Sequence, residues 1–267
     1  MSPSEEHGAR SLYGTQWDNY VQGWTETELK GRKLEWPGDE WGTPATWERV
    51  FNRIFVPAGV SEWKRAVEIG PGSGKYTLKV LESSSAELLA YDISPGFLEV
   101  CRDRCRSQVE EGRLSLHLLS AAKPPNQILS DLEANGWRGE LDAFFSIDAM
   151  VHVDLQYLIV YLITAAVALR PGGRLLLTLA NVNNEKGFRQ LLEGATAYWH
   201  TQLPNSETPG KFEWMSPDMV RYVLDQLGFE LELLTSDDDL RDLFVLASLA
   251  DPERASALES YVKPPSP

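Results

Sequence analysis

The chain has 267 residues, 43% of them hydrophobic, which is enough for one substantial core or one core with a small appendage. Its formal net charge is -14 and no basic tract interrupts the acidic background, so a phosphate backbone would be repelled and nucleic acid is not an expected partner. Two cysteines, Cys101 and Cys105, are too few for a disulfide framework and suit a reducing, cytoplasmic compartment. They lie four apart in an expected helix and share a face. With no further Cys and scattered His they read as inert thiols rather than half a zinc site.

In chain order, the opening MSPSEEHGAR carries no signal-peptide pattern. Residues 1 to about 62 lack strand patterning but are rich in aromatics, including Trp17, Tyr20, Trp24, Trp36, Trp41 and Trp47. TPATWERVFNRIF reads as short amphipathic helices, and EWPGDEWG as a loop. From Ala66 strands and helices alternate. AVEI (66–69) is a strand that runs into Gly70-Pro71-Gly72-Ser73-Gly74, with a helix from about Lys75 to Leu81. ELLAY (87–91) is a strand ending at Asp92, and Ser94-Pro95 opens a helix to about Glu110.

RLSLHLL (113–119) and LDAFFSI (141–147) are the next strands. The apolar run Leu155 to Leu169 is shorter than the ~17–25 residues of a membrane span, so no membrane partner is expected. It reads as a core helix, part of which could serve as a contact in a homo-oligomer. Pro171-Gly172-Gly173 turns into RLLLTLA (174–180), whose unbroken apolarity marks a strand covered on both faces. A helix at about Phe188 to Trp199 follows, then one from Ser216-Pro217 to Gly228. FELELL (229–234) and LFVLASL (243–249) are close enough to pair, and the acidic run Asp237-Asp238-Asp239 between them reads as a solvated turn. Alternating elements of this kind make an α/β, doubly wound, mostly parallel sheet with helices on both faces. Its ligands bind beyond the carboxyl ends of the strands.

Three ligand classes use a glycine loop that leaves a strand and opens a helix. A P-loop needs G-x-x-x-x-G-K-[ST], but its first glycine would fall at Ile69 and its hydroxyl at Tyr76. A dinucleotide loop needs G-x-G-x-x-G, and its third glycine would fall at Lys75, which argues against a nicotinamide oxidoreductase. The remaining pattern is an acid followed by G-x-G-x-G: Glu68, Gly70, Gly72, Gly74. With Asp92 ending the next strand, FFSIDAMVHV after the fourth, LRPGG before the fifth and a closing strand pair, the chain resembles the class I S-adenosylmethionine (SAM)-dependent methyltransferases over about residues 63 to 250.

That resemblance implies a seven-stranded Rossmann-like sheet whose last strand is inserted antiparallel. It implies SAM as cofactor, with Gly70, Gly72 and Gly74 against its methionine and ribose portions. Glu68 would lie near the amino group, Asp92 on the ribose hydroxyls and Ile93 against adenine. Where the family often has an Asp for the adenine amino group this chain has Ser120, whose hydroxyl could substitute. Asp148 is a further candidate for the methionine amino group.

Transfer to a hydroxyl requires loss of its proton. His152 is the candidate base, with Asp148 beside it as a second catalytic candidate. Asp148, His152 and Asp154 could instead hold magnesium with several waters. The acceptor, a small molecule or glycan, is expected against residues outside the core sheet: Trp41, Asp154, Tyr198, Trp199 and Trp214, with Asn183, His200 and Phe212 near them. PGDEWG (37–42) resembles bacterial sugar O-methyltransferases, including the mycobacterial enzymes that methylate mannose polysaccharides. It implies a glycosyl hydroxyl acceptor with Asp39, Glu40 and Trp41 in a lid. The expected organisation is a helical, aromatic N-terminal arm covering the active site (1–62), a SAM-binding domain (63–250) with a substrate-lid insertion (181–215), and a tail (251–267). The other readings are N-methylation of a small metabolite and a non-catalytic SAM-binding protein.

Overall fold

The computed structural model describes residues 15–29, 31–119, 124–201, 211–237 and 239–262, with backbone alone at 27, 124 and 197–201. Ser120, Asp238 and the side chains of Tyr198, Trp199 and His200 therefore lie outside the described structure. The chain forms two compact units, 1–124 and 125–267.

The first unit opens with helix α1 (15–23), followed by an antiparallel hairpin of β1 (Thr27–Leu29) and β2 (Arg32–Leu34). Sequence patterning shows no strand here. Three residues are too short a run to show alternation, and the turn is made by Gly31 in the left-handed region at φ 76. Helix α2 (Pro44–Val50) is capped by Thr43, whose hydroxyl accepts from the Thr46 N–H at 3.1 Å. Strands β3 (Arg65–Ile69), β4 (Glu87–Asp92) and β5 (Leu114–Leu118) then pair in parallel, in the order β5-β4-β3. Ala66, Val67, Leu88, Ala90 and Tyr91 are almost wholly shielded from water, as expected of strands covered on both faces. Helix α3 (Lys75–Ser83) follows β3. The helix expected from Ser94 to Glu110 is broken at Cys105 into α4 (Pro95–Arg104) and α5 (Arg106–Glu110). The break lies where the Gly74 backbone presses on the two thiols: a Cβ there would lie 2.9 Å from Cys101 Sγ and 3.1 Å from Cys105 Sγ.

Helix α6 (Pro124–Ala134) escaped the sequence reading because it opens on two prolines. In a first turn a missing N–H costs nothing, and Ile128, Leu129 and Leu132 are buried along its apolar side.

In the second unit β6 (Leu141–Ser146) and β7 (Leu169–Asn181) pair in parallel, joined by the buried helix α7 (Leu155–Ala168). The final strand β10 (Asp242–Leu249) runs antiparallel between β7 and β9 (Phe229–Ser236), which is the expected insertion of the last strand. The Pro171-Gly172-Gly173 segment is no turn. It is an irregularity within β7, where pairing steps from Leu141 opposite Leu169 to Ala143 opposite Arg174. A Cβ on Gly173 would come 2.7 Å from the Leu141 carbonyl, so the closeness of the two backbones needs glycine. Helix α8 (Glu185–Thr201) begins three residues earlier than expected. A short strand β8 (Trp214–Met215) pairs in parallel with the end of β7, and α9 (Pro217–Gln226) is capped by Ser216. Helix α10 (Pro252–Leu258) and a 3-10 turn (Glu259–Tyr261) close the described chain. Among the described residues no helix is long and apolar enough to cross a membrane.

Candidate functional site

In the first unit, β3 ends in a backbone that glycine alone adopts readily. Gly70, Gly72 and Gly74 have φ of 70, 53 and 80. The Gly70 N–H donates to the Tyr91 carbonyl at 2.7 Å, which holds the turn against the end of β4. Asp92 completes the crevice. Its Oδ2 accepts from the Gly72 N–H at 3.2 Å and its Oδ1 from the Ser94 N–H at 2.9 Å. Each carboxylate oxygen can accept more than one bond, so both still offer capacity to a pair of hydroxyls. Burial pushes the Asp92 carboxyl up to about 6 despite those N–H donors. Ile93 follows, partly buried.

Glu68 is buried in β3 and accepts from the Thr77 hydroxyl at 2.6 Å. Burial pushes its carboxyl up to about 8; the Thr77 hydrogen bond opposes the rise and the charge of Asp92 adds to it. Among the described residues neither carboxylate has a cationic partner within ion-pair distance. Two buried acids beside a left-handed glycine cradle fit a ligand that brings its own ammonium and a vicinal diol, and SAM carries both.

The PGDEWG loop stands beside this crevice within the same unit. The Lys75 ammonium, at the start of α3, donates to the Gly38 carbonyl at 3.1 Å. Asp39 is buried and pairs with Arg104 at 3.3 Å. Glu40 accepts from the Tyr20 hydroxyl and from the Gly38 N–H. Trp41 is half exposed and stacks on Tyr20, with ring centroids 5.1 Å apart.

In the second unit, Asp148 follows β6 with φ 61, the one left-handed non-glycine among the described residues. Its N–H donates to the Thr178 hydroxyl at 2.7 Å, and its Oδ1 accepts from the Arg241 guanidinium at 2.5 Å. That guanidinium lies 4.1 Å from the ring centroid of Phe212. Phe212 stacks on His152 at 5.0 Å and meets Trp214 edge-on at 5.7 Å. His152 Nδ1 lies 2.7 Å from the Lys211 carbonyl. A carbonyl only accepts, so Nδ1 carries the hydrogen and Nε2 the lone pair of the neutral ring. Burial lowers the His152 pKa, against the pull of the Lys211 carbonyl and Asp148.

Asp148, His152 and Trp214 thus belong to one cluster through Arg241 and Phe212. Asp154 has other work: its Oδ1 caps α7, accepting from the Gln156 and Tyr157 N–H groups at 3.0 and 3.1 Å. The magnesium set expected from Asp148, His152 and Asp154 is not assembled. Among the described residues no group of three His, Cys, Asp or Glu side chains is placed to hold a metal ion. Asp148 is occupied by Arg241 and Asp154 by the helix end. Asn183 donates its N–H to the Asn181 side chain within its own turn. Arg241 and Thr77 were missed in sequence. The available signals were a lone Arg in an acidic run just before the last strand, and a hydroxyl one turn into the helix after the glycine loop.

Residues 67–177 match the family described as a methyltransferase domain. The magnesium protoporphyrin IX methyltransferase of Synechocystis, solved with bound SAH (S-adenosylhomocysteine), superposes with a TM-score of 0.58 at 14% identity, covering 91% of this chain and 99% of that one. The fold is therefore the α/β Rossmann-like methyltransferase fold, a mostly parallel sheet flanked by helices, and residues 67–177 are similar to methyltransferase domains. The methyltransferase GfsG of Streptomyces halstedii is 29% identical over 128 residues, 48% of this chain and 42% of that protein. An uncharacterized methyltransferase of Emericella nidulans is 32% identical over 133 residues, 46% of this chain and 43% of that protein. The chain spans less than half the length of these curated relatives.

Proposed function

We propose that this protein transfers a methyl group from SAM to a hydroxyl of a small molecule, a sugar or glycan. The observation that carries the cofactor reading is the glycine turn, left-handed at three alternate positions, beside two buried acids that no Lys or Arg side chain pairs among the described residues. When bound, SAM supplies an electrophilic methyl on a sulfonium.

The chain's own residues do the rest. The glycine turn lets the amino-acid end approach the backbone closely beside Glu68, and Asp92 holds the ribose diol. Ser120, on this reading, serves the adenine end. His152 takes the acceptor proton at Nε2, because its other nitrogen is committed to the Lys211 carbonyl and burial keeps the ring neutral near pH 7. Asp148 and Arg241 present a carboxylate beside a guanidinium along the aromatic wall of Phe212 and Trp214. Paired donor and acceptor groups with aromatic faces are the chemistry that suits a polyhydroxylated ring.

The test is to mix the purified protein with methyl-labelled SAM and a panel of glycosides, phenols and amines, with NADH titrated in parallel. Labelled glycoside product supports the reading. Labelled amine alone moves it to N-methylation, cofactor binding without turnover to a SAM-binding protein, and tight NADH binding without SAM binding to an oxidoreductase.

A further inference from the structure

Asp18 in α1 reaches across 76 positions of sequence to the turn after β4. Its Oδ1 accepts from the Ser94 hydroxyl at 2.5 Å and from the Gly96 N–H at 3.0 Å. Ser94 is fully buried, and its own N–H is the donor to Asp92 Oδ1. A single chain of hydrogen bonds therefore runs from α1 through Ser94 to the carboxylate that faces the crevice.

The same N-terminal segment is fastened to the opposite wall. Lys75 donates to the Gly38 carbonyl, and its ammonium lies 4.2 Å from the Trp47 ring centroid. Arg104 bridges Asp39 and Ser73, donating to each at 3.3 Å. Between these fastenings Trp17, Tyr20 and Trp41 pack together, and Trp17 and Tyr20 both lie against Phe97, the side chain nearest to a Cβ built at Gly72. The described N-terminal residues are thus tied both to the turn after β4 and to the start of α3, with aromatic rings between the ties.

We infer that Asp18, in the arm expected to cover the active site, is a positioning residue for the cofactor, acting through Ser94 on Asp92. The inference rests on the reading of this crevice as the SAM site and adds a role for Asp18 within it. A contact that steadies the bound cofactor acts mainly on its escape, so the prediction falls on the dissociation rate.

The experiment uses the full chain and SAH, with calorimetry for affinity and stopped-flow tryptophan fluorescence for rates. Asp18→Ala should weaken SAH binding about tenfold, through faster release with association unchanged, as expected for losing charge-assisted bonds one residue removed from the ligand. Asp18→Asn should restore binding to within about threefold, because the amide oxygen can accept the same two bonds. Gly96→Ala disturbs the contact from the other side: its Cβ would sit 3.2 Å from Asp18 Oδ1 and 3.4 Å from Val21. It should also speed release, and it decides the matter should Asp18→Ala not fold. Wild-type release rates in Asp18→Ala and Gly96→Ala overturn the role of Asp18, as does an Asn variant no better than Ala. Absence of SAH binding by the unaltered protein overturns the cofactor reading itself.

Discussion

Arg241 at the foot of β10 donates to Asp148 at the exit of β6, across 93 positions of sequence, at 2.5 Å. The contact holds a non-glycine residue in a left-handed conformation, at the carboxyl end of a strand, where this fold receives ligands. Arg241 also faces Asp242, whose carboxyl burial pushes up although the guanidinium pulls it down. One cation thus serves two acids. Replacing it by Met should destabilise the protein by ~1–3 kcal/mol, scaled down from a fully buried pair because Asp148 is partly exposed. Urea melts should show Asp148→Ala recovering part of that loss in the Arg241→Met background. Strict additivity of the two variants would mean that the pair is not coupled.

Asp92→Ala should weaken SAH binding by at least tenfold. Two hydroxyl bonds to a carboxylate are involved, each worth ~1.5–3 kcal/mol. Calorimetry reads the change directly, and affinity equal to that of the unaltered protein would remove Asp92 from the ribose site.

Glu68 makes the stability of the ligand-free protein depend on pH. Its carboxyl is raised in the folded protein from an ordinary 4.5 to about 8, so the folded state holds a proton that the unfolded chain releases. The stabilisation from that proton is complete below about 4.5 and is lost as pH rises through about 8. Asp92 acts in the same direction over a lower window, from 3.8 to about 6. Melting temperatures should therefore fall across these windows, and Glu68→Gln should flatten the slope. An unchanged slope in that variant would assign the proton elsewhere.

His152→Ala should slow methyl transfer while leaving SAH affinity close to that of the unaltered protein. Because the His152 pKa is lowered, the acidic limb of the rate profile should fall below the ordinary 6.5. Label transfer at matched SAM saturation tests both points, and full turnover by the variant would exclude His152 as the base.

Gly74→Ala should cost ~1–3 kcal/mol in urea denaturation, since the new Cβ meets Cys101 Sγ at 2.9 Å and the Cys101 Cα at 3.4 Å in a backbone at φ 80. Cys101→Ala in the same chain should recover part of the loss.

The succession of strands and helices from β3 onward, the glycine turn and the carboxylate ending β4 were legible in sequence for one reason. Each is written within a few consecutive residues, as an apolar run, a glycine spacing or a capping Ser before Pro. Local signals misled where a short pattern had two outcomes. Pro171-Gly172-Gly173 reads as a turn but is a kink inside β7, and the three-residue β1 and β2 are too short to alternate. Asp154 looks like a ligand and is a helix cap. The contacts of Asp18 with Ser94, of Arg241 with Asp148 and of Phe212 with His152 join residues with no shared local pattern. Only chain closure brings such partners within hydrogen-bond and stacking range, so only the tertiary structure could decide which acids stay open to a ligand and which are already engaged.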